Sequence, residues 1–193
     1  MKKLSLQIVF LVFLLNVNAQ QMNLMGDSKA FSTRNFILAE EKFVSDILLD
    51  SSDNKTVKLA AGLFSDDVKR VTGQKPEIKF DIKTVSNSCV IMGSIAESRV
   101  IKELVKRKVI DVSDVKGKWE SCLIQVVENP FKGIEKALVI AGSDRRGTAY
   151  GLLELSKQLG VSPWYYFADV PVMKRDKIVI THDRFVQKPP SVK

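Results

Sequence analysis

The residues able to do chemistry in this sequence gather between Ala141 and Val172, AGSDRRGTAYGLLELSKQLGVSPWYYFADVPV. Lys136 to Gly142 is an apolar run ending in a glycine, Ser143-Asp144-Arg145-Arg146 follows, and Gly147-Thr148-Ala149-Tyr150-Gly151 opens a helical pattern. A strand, a glycine turn and a helix in that order can cradle a phosphate. Gly142 and Gly147 have Walker A spacing, but Thr148-Ala149 stand where Lys and Ser or Thr are required, so the phosphate-binding lysine is missing. Gly142, Gly147 and Gly151 do not make a G-x-G-x-x-G fingerprint either. Nucleotide binding is therefore set aside, and the same residues read as packing devices. Gly142 allows a tight exit from the strand, and Asp144 is placed to cap the helix or to hold Arg145 or Arg146. Gly147 and Gly151 share one helical face, where they permit close approach of another element.

Downstream, Ser162-Pro163-Trp164-Tyr165-Tyr166-Phe167-Ala168-Asp169-Val170-Pro171 sets consecutive aromatics between prolines. Such bulk does not suit a free solvent loop. It can be a core plug, an inter-domain surface or a sugar-stacking platform, since aromatic faces match the apolar C–H surface of a pyranose. Core or interface is the favoured reading, because aromatics serve chiefly as buried area. Other reactive groups are few. Cys89 and Cys122 each sit in an apolar, strand-like run. They can pair in an oxidising compartment if those strands are neighbours; we favour two buried thiols packing as small hydrophobes. Two cysteines and the single histidine, His182, cannot build a structural zinc site, and His182 reads as a surface residue. No metal or cofactor is expected.

The elements that must position these residues follow from periodicity. Phe36 to Leu49 predicts one or two short strands. Asn54 is a candidate N-cap, after which Val57, Leu59, Ala60, Leu63, Phe64, Val68 and Val71 recur at helical spacing, stopped by Thr72-Gly73 with Pro76 beyond. Strands are predicted over Glu77 to Ile82, Ser88 to Gly93, Trp119 to Val127, Lys136 to Ala141 and Lys177 to Thr181. The Lys136 run is almost wholly apolar and should be central. Helices are predicted over Ser98 to Lys108 and Gly147 to Leu159, the latter ended by Gly160. Strands mixed with three helices, without strict alternation, predict an α/β (α+β) two-layer sandwich with a mixed sheet.

Length and charge bound the rest. The chain has 193 residues, 45% hydrophobic and 27% charged, which suits one globular domain. Lys2-Lys3, the apolar run Leu4 to Leu15 and Val17-Asn18-Ala19 read as a secretory signal peptide cleaved after Ala19. That run is shorter than the ~20 residues a span requires, no cysteine follows for a lipid anchor, and no later segment could cross a membrane. Residues 1–19 are thus the expected signal, 20–35 a flexible segment, 36–185 the domain and 186–193 a linker. The expected location is exported, periplasmic or extracellular. Removing Lys2 and Lys3 from 30 basic residues leaves 28 against 22 acidic ones, a balance of +6. The lysines are scattered, with no aromatic-interleaved stripe of the kind that binds single strands. Together with export, this disfavours nucleic acid and leaves a solvated basic surface or a weak attraction to an anionic polysaccharide.

Taken jointly, Gly142 to Gly151 and Gly160 to Val172 resemble the N-terminal region of glycoside hydrolase family 115, the xylan α-glucuronidases. Val71-Thr72-Gly73 with Pro76, Val90 to Gly93, Gly117 to Ser121, Ala137 to Ala141 and Pro189-Pro190-Ser191-Val192-Lys193 are similar as well. Tyr166 and Phe167 stand where tryptophans are common. The resemblance implies a small α/β domain like the one preceding the barrel in β-hexosaminidases. It also implies an inverting removal of 4-O-methyl-D-glucuronic acid from glucuronoxylan by two carboxylates. In such proteins the (β/α)8 barrel carries those carboxylates and starts after the Pro-Pro-x-Val-Lys segment. The chain is therefore expected to be the front end of a longer enzyme, inactive by itself, with its own C-terminal barrel and a uronic-acid polysaccharide as partners. Trp164 is the residue the resemblance puts forward for substrate contact, with Tyr165 and Asp169 behind it, and none is expected to be catalytic. The alternative is a free-standing carbohydrate-binding module.

Overall fold

The structure, a computed structural model, describes residues 35–181 and 183–190. The expected signal peptide, all but Asn35 of the expected flexible segment, His182 and residues 191–193 lie outside them. Between Phe36 and Leu49 three strands form: β1 (Phe36–Glu40), β2 (Phe43–Val44) and β3 (Asp46–Leu49). Glu41, at φ 46°, reverses the chain so that β2 folds back on β1. Buried Ser45 then breaks the run, its hydroxyl donating to the Ile37 carbonyl at 2.9 Å.

β3 enters a six-stranded mixed sheet in the order β4-β3-β5-β7-β6-β9. These new strands are β4 (Ile78–Lys79), β5 (Ser88–Ser94), β6 (Cys122–Phe131), β7 (Ile134–Gly142) and β9 (Arg184–Gln187). β4, β3, β5 and β7 run parallel, whereas β6 runs antiparallel to both of its neighbours, β7 and β9. β7 is internal, as its apolar sequence predicts. β8 (Lys177–Ile180) pairs instead with β1 in a three-stranded sheet.

Strand alternation sorts the side chains to two faces. Val90, Met92, Leu138, Ile140, Cys122 and Ile124 face α1 (Lys55–Thr72) and α3 (Arg145–Leu159), with Phe36, Leu38, Ile178 and Ile180 closing that core. Cys89, Ile91, Leu123, Val139 and Ala141 face the other way, under α2 (Arg99–Lys106) and the segment behind it carrying Ile110, Val112 and Val115. Each fully buried Leu, Ile or Phe contributes about 1.5–3 kcal/mol of apolar transfer, so both cores are substantial. The result is the mixed α/β sandwich with three principal helices that the sequence predicts.

The helix ends follow the sequence signals. Asn54 accepts from the Thr56 amide at 3.0 Å, and Gly73 closes α1 at φ 81°. Ser98 accepts from Ile101 at 3.3 Å, and Gly160 ends α3 at φ 101°.

Four expectations change. The strand predicted from Trp119 begins at Cys122, because Glu120 sits at φ 50° and kinks the entry. The strand predicted over Glu77 to Ile82 shrinks to Ile78–Lys79, a short parallel edge pairing only with Ile47 and Leu48. β9 was not predicted: its Arg-Phe-Val-Gln pattern is weak, and it forms by pairing with Cys122 to Gln125. Finally, Leu59, Leu63, Tyr150 and Leu153 fit helical apolar periodicity yet stand exposed on the outer faces of α1 and α3.

The two cysteines lie on opposite faces of the sheet with β7 between their strands, and both are free thiols. A disulfide between them is geometrically excluded.

Candidate functional site

The turn between β7 and α3 is built from the chain's own polar groups. Asp144 caps α3, its Oδ1 accepting from the Gly147 amide at 2.7 Å, while its Oδ2 accepts from the Glu120 amide at 3.1 Å. Ser143 and Ser121 exchange two more hydrogen bonds, Ser143 N–H to Ser121 O at 2.8 Å and Ser121 N–H to Ser143 Oγ at 3.0 Å. Of the alternatives for Asp144, the cap is realised; Arg146 pairs instead with buried Glu120 at 2.9 Å. A phosphate at this helix start would meet the Asp144 carboxylate. The other two helix starts are taken as well. Asn54 caps α1, and the Arg99 amide of α2 donates to Asp50, whose carboxylate also receives the Arg99 guanidinium at 2.8 Å. This pairing holds the Asp50 carboxyl well below the usual carboxylate range. At the C-terminal edge of the parallel strands, where α/β sheets commonly take ligands, all three helix starts are therefore occupied by the chain's own acceptors, Asn54, Asp50 and Asp144.

The glycines in this turn serve packing. A Cβ on Gly142 would lie 2.1 Å from the Thr148 amide nitrogen, and one on Gly151 would lie 2.7 Å from Cys122 Sγ. α3 consequently lies directly on β6 and β7.

The aromatic segment follows α3. Ser162 shapes its start, its hydroxyl accepting from the Trp164 amide at 3.1 Å and its carbonyl from Tyr165 at 2.9 Å. A single turn, α4 (Tyr165–Ala168), comes next, closed by Asp169 in the left-handed region at φ 48°. Three anchors tie the segment to the body: Tyr165 and Val172 pack on the core, and the Arg175 amide donates to the Val71 carbonyl at 3.0 Å. The Arg70 guanidinium, in the last turn of α1, lies 5.0 Å from the centroid of the Tyr165 ring, a cation–π contact.

The candidates thus differ in setting. Trp164 is 66% exposed and Phe167 83% exposed; Asp169 is exposed beside them, while Tyr165 is half-buried as an anchor. The segment can present flat apolar rings and one carboxylate to a ligand or another surface. Asp169 is the only carboxylate between Ser162 and Met173, whereas two-carboxylate glycoside hydrolysis needs a pair. Among the described residues no group of three or more His, Cys, Asp or Glu side chains could hold a metal, and no helix is long and apolar enough to cross a membrane. Phe167 and the outer apolar row of α1 and α3 are surface features that helical periodicity alone did not separate from core.

Among solved structures, the chain is similar to a family GH115 4-O-methyl-α-glucuronidase, BtGH115A, described as having specificity for decorated arabinogalactans. The match has 33% identity and a TM-score of 0.63, over 79% of this chain and 18% of that enzyme. The chain also aligns with the N-acetyl-β-hexosaminidase of Streptomyces plicatus at 7% identity and TM-score 0.48, over 83% of this chain and 24% of that one. A further alignment, with CpGH84D, has 13% identity and TM-score 0.46, over 79% and 22%. No family model and no curated protein matches the chain. The fold is GH115-like, resembling the matched part of this glycoside hydrolase. The chain spans less than a fifth, 18%, of the glucuronidase it resembles.

Proposed function

We propose that the chain is the N-terminal domain of an exported glycoside hydrolase that removes 4-O-methyl-D-glucuronic acid from glucuronoxylan, or from another glycan bearing the same uronic acid. The observation that carries this is the 33% identity to BtGH115A across 79% of the chain. The aligned enzyme acts on decorated arabinogalactans, so the uronic acid is the shared feature and the backbone polysaccharide is the variable one. Under this reading the reaction inverts the anomeric centre, using two carboxylates roughly 6.5–9.5 Å apart that lie in a barrel outside the chain. Trp164 would stack on a sugar ring, Asp169 would accept from its hydroxyls, and Tyr165 would line the same surface while anchoring the turn. Export rests on the n-region, apolar run and cleavage pattern of residues 1–19.

The test is release of methylglucuronic acid from glucuronoxylan and from arabinogalactan, by the 193-residue chain and by the longer polypeptide of the same reading frame. Release is expected from the longer protein alone. Activity in the short chain would overturn the placement of the catalytic pair, and a longer protein inert on both glycans would reject the uronic-acid assignment. The exposure of Trp164 and Phe167 also suits a free-standing carbohydrate-binding module. Tight binding of xylan oligosaccharides by the short chain would favour that second reading.

A further inference from the structure

On the α2 side of the sheet, a groove of about 350 Å³ opens between that helix and the segment that follows β4. Its size falls in the range of small-molecule sites, about 300–1,000 Å³. Phe80, Phe131 and Val100 give it apolar walls, while Asp81, Arg99 and Glu103 bring polar groups to it. The walls are held in place by the chain itself. Phe80 is 56% exposed, yet the turn after it is fixed: the Asp81 side chain accepts from the Lys83 amide at 2.9 Å and its carbonyl from the Thr84 amide at 3.0 Å. Phe131 is braced by Arg107, whose guanidinium lies 5.3 Å from the ring centroid and donates to the Pro130 carbonyl at 2.6 Å. Arg99 is locked on buried Asp50, its Nη2 donating to Oδ1 at 2.8 Å and its Nε to Oδ2 at 3.1 Å. That pairing does not use Nη1. Glu103 follows four residues on, one turn along the same helical face, and its carboxylate enters no ion pair among the described residues.

We propose that this groove is a binding subsite for a neutral pyranose, built from different elements than the aromatic turn around Trp164, and that it holds the backbone of a polysaccharide rather than its uronic-acid branch. A pyranose offers an apolar C–H face to a phenyl ring, and its hydroxyls both donate and accept, which a guanidinium and a carboxylate one turn apart satisfy together. Charge selects the neutral ring. Of the charged residues lining the groove, Asp50, Asp81 and Glu103 are acidic and Arg99 alone is basic. Arg99 is already neutralised by Asp50, so the charges left over, on Asp81 and Glu103, are negative. Arg107 is engaged behind Phe131, and no lysine lines the groove. A uronic acid would bring its carboxylate against like charge, which costs affinity. That the glycan is a xylan or a galactan rests on the reading of the chain as part of a uronic-acid-releasing hydrolase; the preference for a neutral ring rests on the groove alone.

The experiment titrates the 193-residue chain with xylohexaose, with a galacto-oligosaccharide and with glucuronic acid, following backbone amide resonances. At least one neutral oligosaccharide should shift the amides of Phe80 to Ile82 and of Arg99 to Glu103, binding weakly as an open groove of this size allows. Glucuronic acid should bind about tenfold more weakly still. Phe80→Ala should weaken binding of the neutral sugar about fivefold with the melting temperature held, because the ring is exposed. Glu103→Gln should narrow the gap between the neutral and the acidic sugar. Shifts confined to Trp164 through Asp169, glucuronic acid binding as tightly as the neutral sugars, or no shift with either oligosaccharide would each overturn the groove as a sugar subsite. The parent reading fails by a different measurement, a longer polypeptide that releases no methylglucuronic acid.

Discussion

A Cβ on Gly147 would stand 2.2 Å from the carbonyl oxygen of Ser121, so the first turn of α3 lies on the entry to β6 closer than any other residue type allows. Gly147→Ala should therefore destabilise the domain by about 1–3 kcal/mol through overpacking. Gly62→Ala, with open space around its position, should stabilise it by about 0.5–1 kcal/mol through helix propensity. Urea denaturation of both variants checks the contrast, and effects of the same sign would contradict it.

Asp50 contributes a pH-dependent part of stability. Its carboxyl is held below the usual range chiefly by the Arg99 guanidinium, with Ser52 adding further donors. The folded state thus takes up this proton less readily than the unfolded chain, where aspartate titrates near ~3.9. The contribution is full above that value and is lost as pH falls below it. Asp50→Asn should cost about 1–3 kcal/mol at neutral pH, and its difference from the parent chain should shrink below about pH 4. A gap that stays constant from neutral to acid pH would contradict the assignment.

Burial pushes both cysteine thiols up to about 12. Neither should react with a thiol reagent in the native protein near neutral pH, and both should react in denaturant. Mass spectrometry after exposure to air should find two unlinked thiols; an intramolecular disulfide would contradict the placement of Cys89 and Cys122 on opposite sheet faces.

The aromatic turn separates a presenting residue from an anchoring one. Trp164→Ala removes a ring that is 66% exposed and should change stability by no more than about 0.5 kcal/mol. Tyr165→Ala loses core packing and the Arg70 contact and should cost about 1–3 kcal/mol. In the longer enzyme, Trp164→Ala should lower turnover while its melting temperature holds. Unchanged kinetics would make Trp164 part of the inter-domain surface only.

Much of the fold was legible because its signals are local. Asn54, Ser98, Asp144, Gly73 and Gly160 mark helix ends through side-chain acceptors and left-handed backbone that need no distant partner. The apolar run of β7 declared an internal strand because both its faces are covered. β9 was not legible, since a four-residue strand of mixed polarity exists only where β6 offers an unpaired edge. The candidate surface was legible in composition but not in orientation: consecutive aromatics favour a core or an interface over a sugar platform, yet do not say which rings are covered.

By itself the sequence determined the helices and their caps, the internal strand, the failure of the phosphate-loop motifs and the resemblance to family 115. Each is carried by neighbouring residues. Tertiary structure decided which aromatics are free and which are anchors, that Asp144 is spent on a cap, that the cysteines cannot meet, and that Leu59, Leu63, Tyr150 and Leu153 face outward. Helical periodicity reports that a side chain is apolar and which stripe it occupies, but only the packing of a second element reveals whether that stripe is covered.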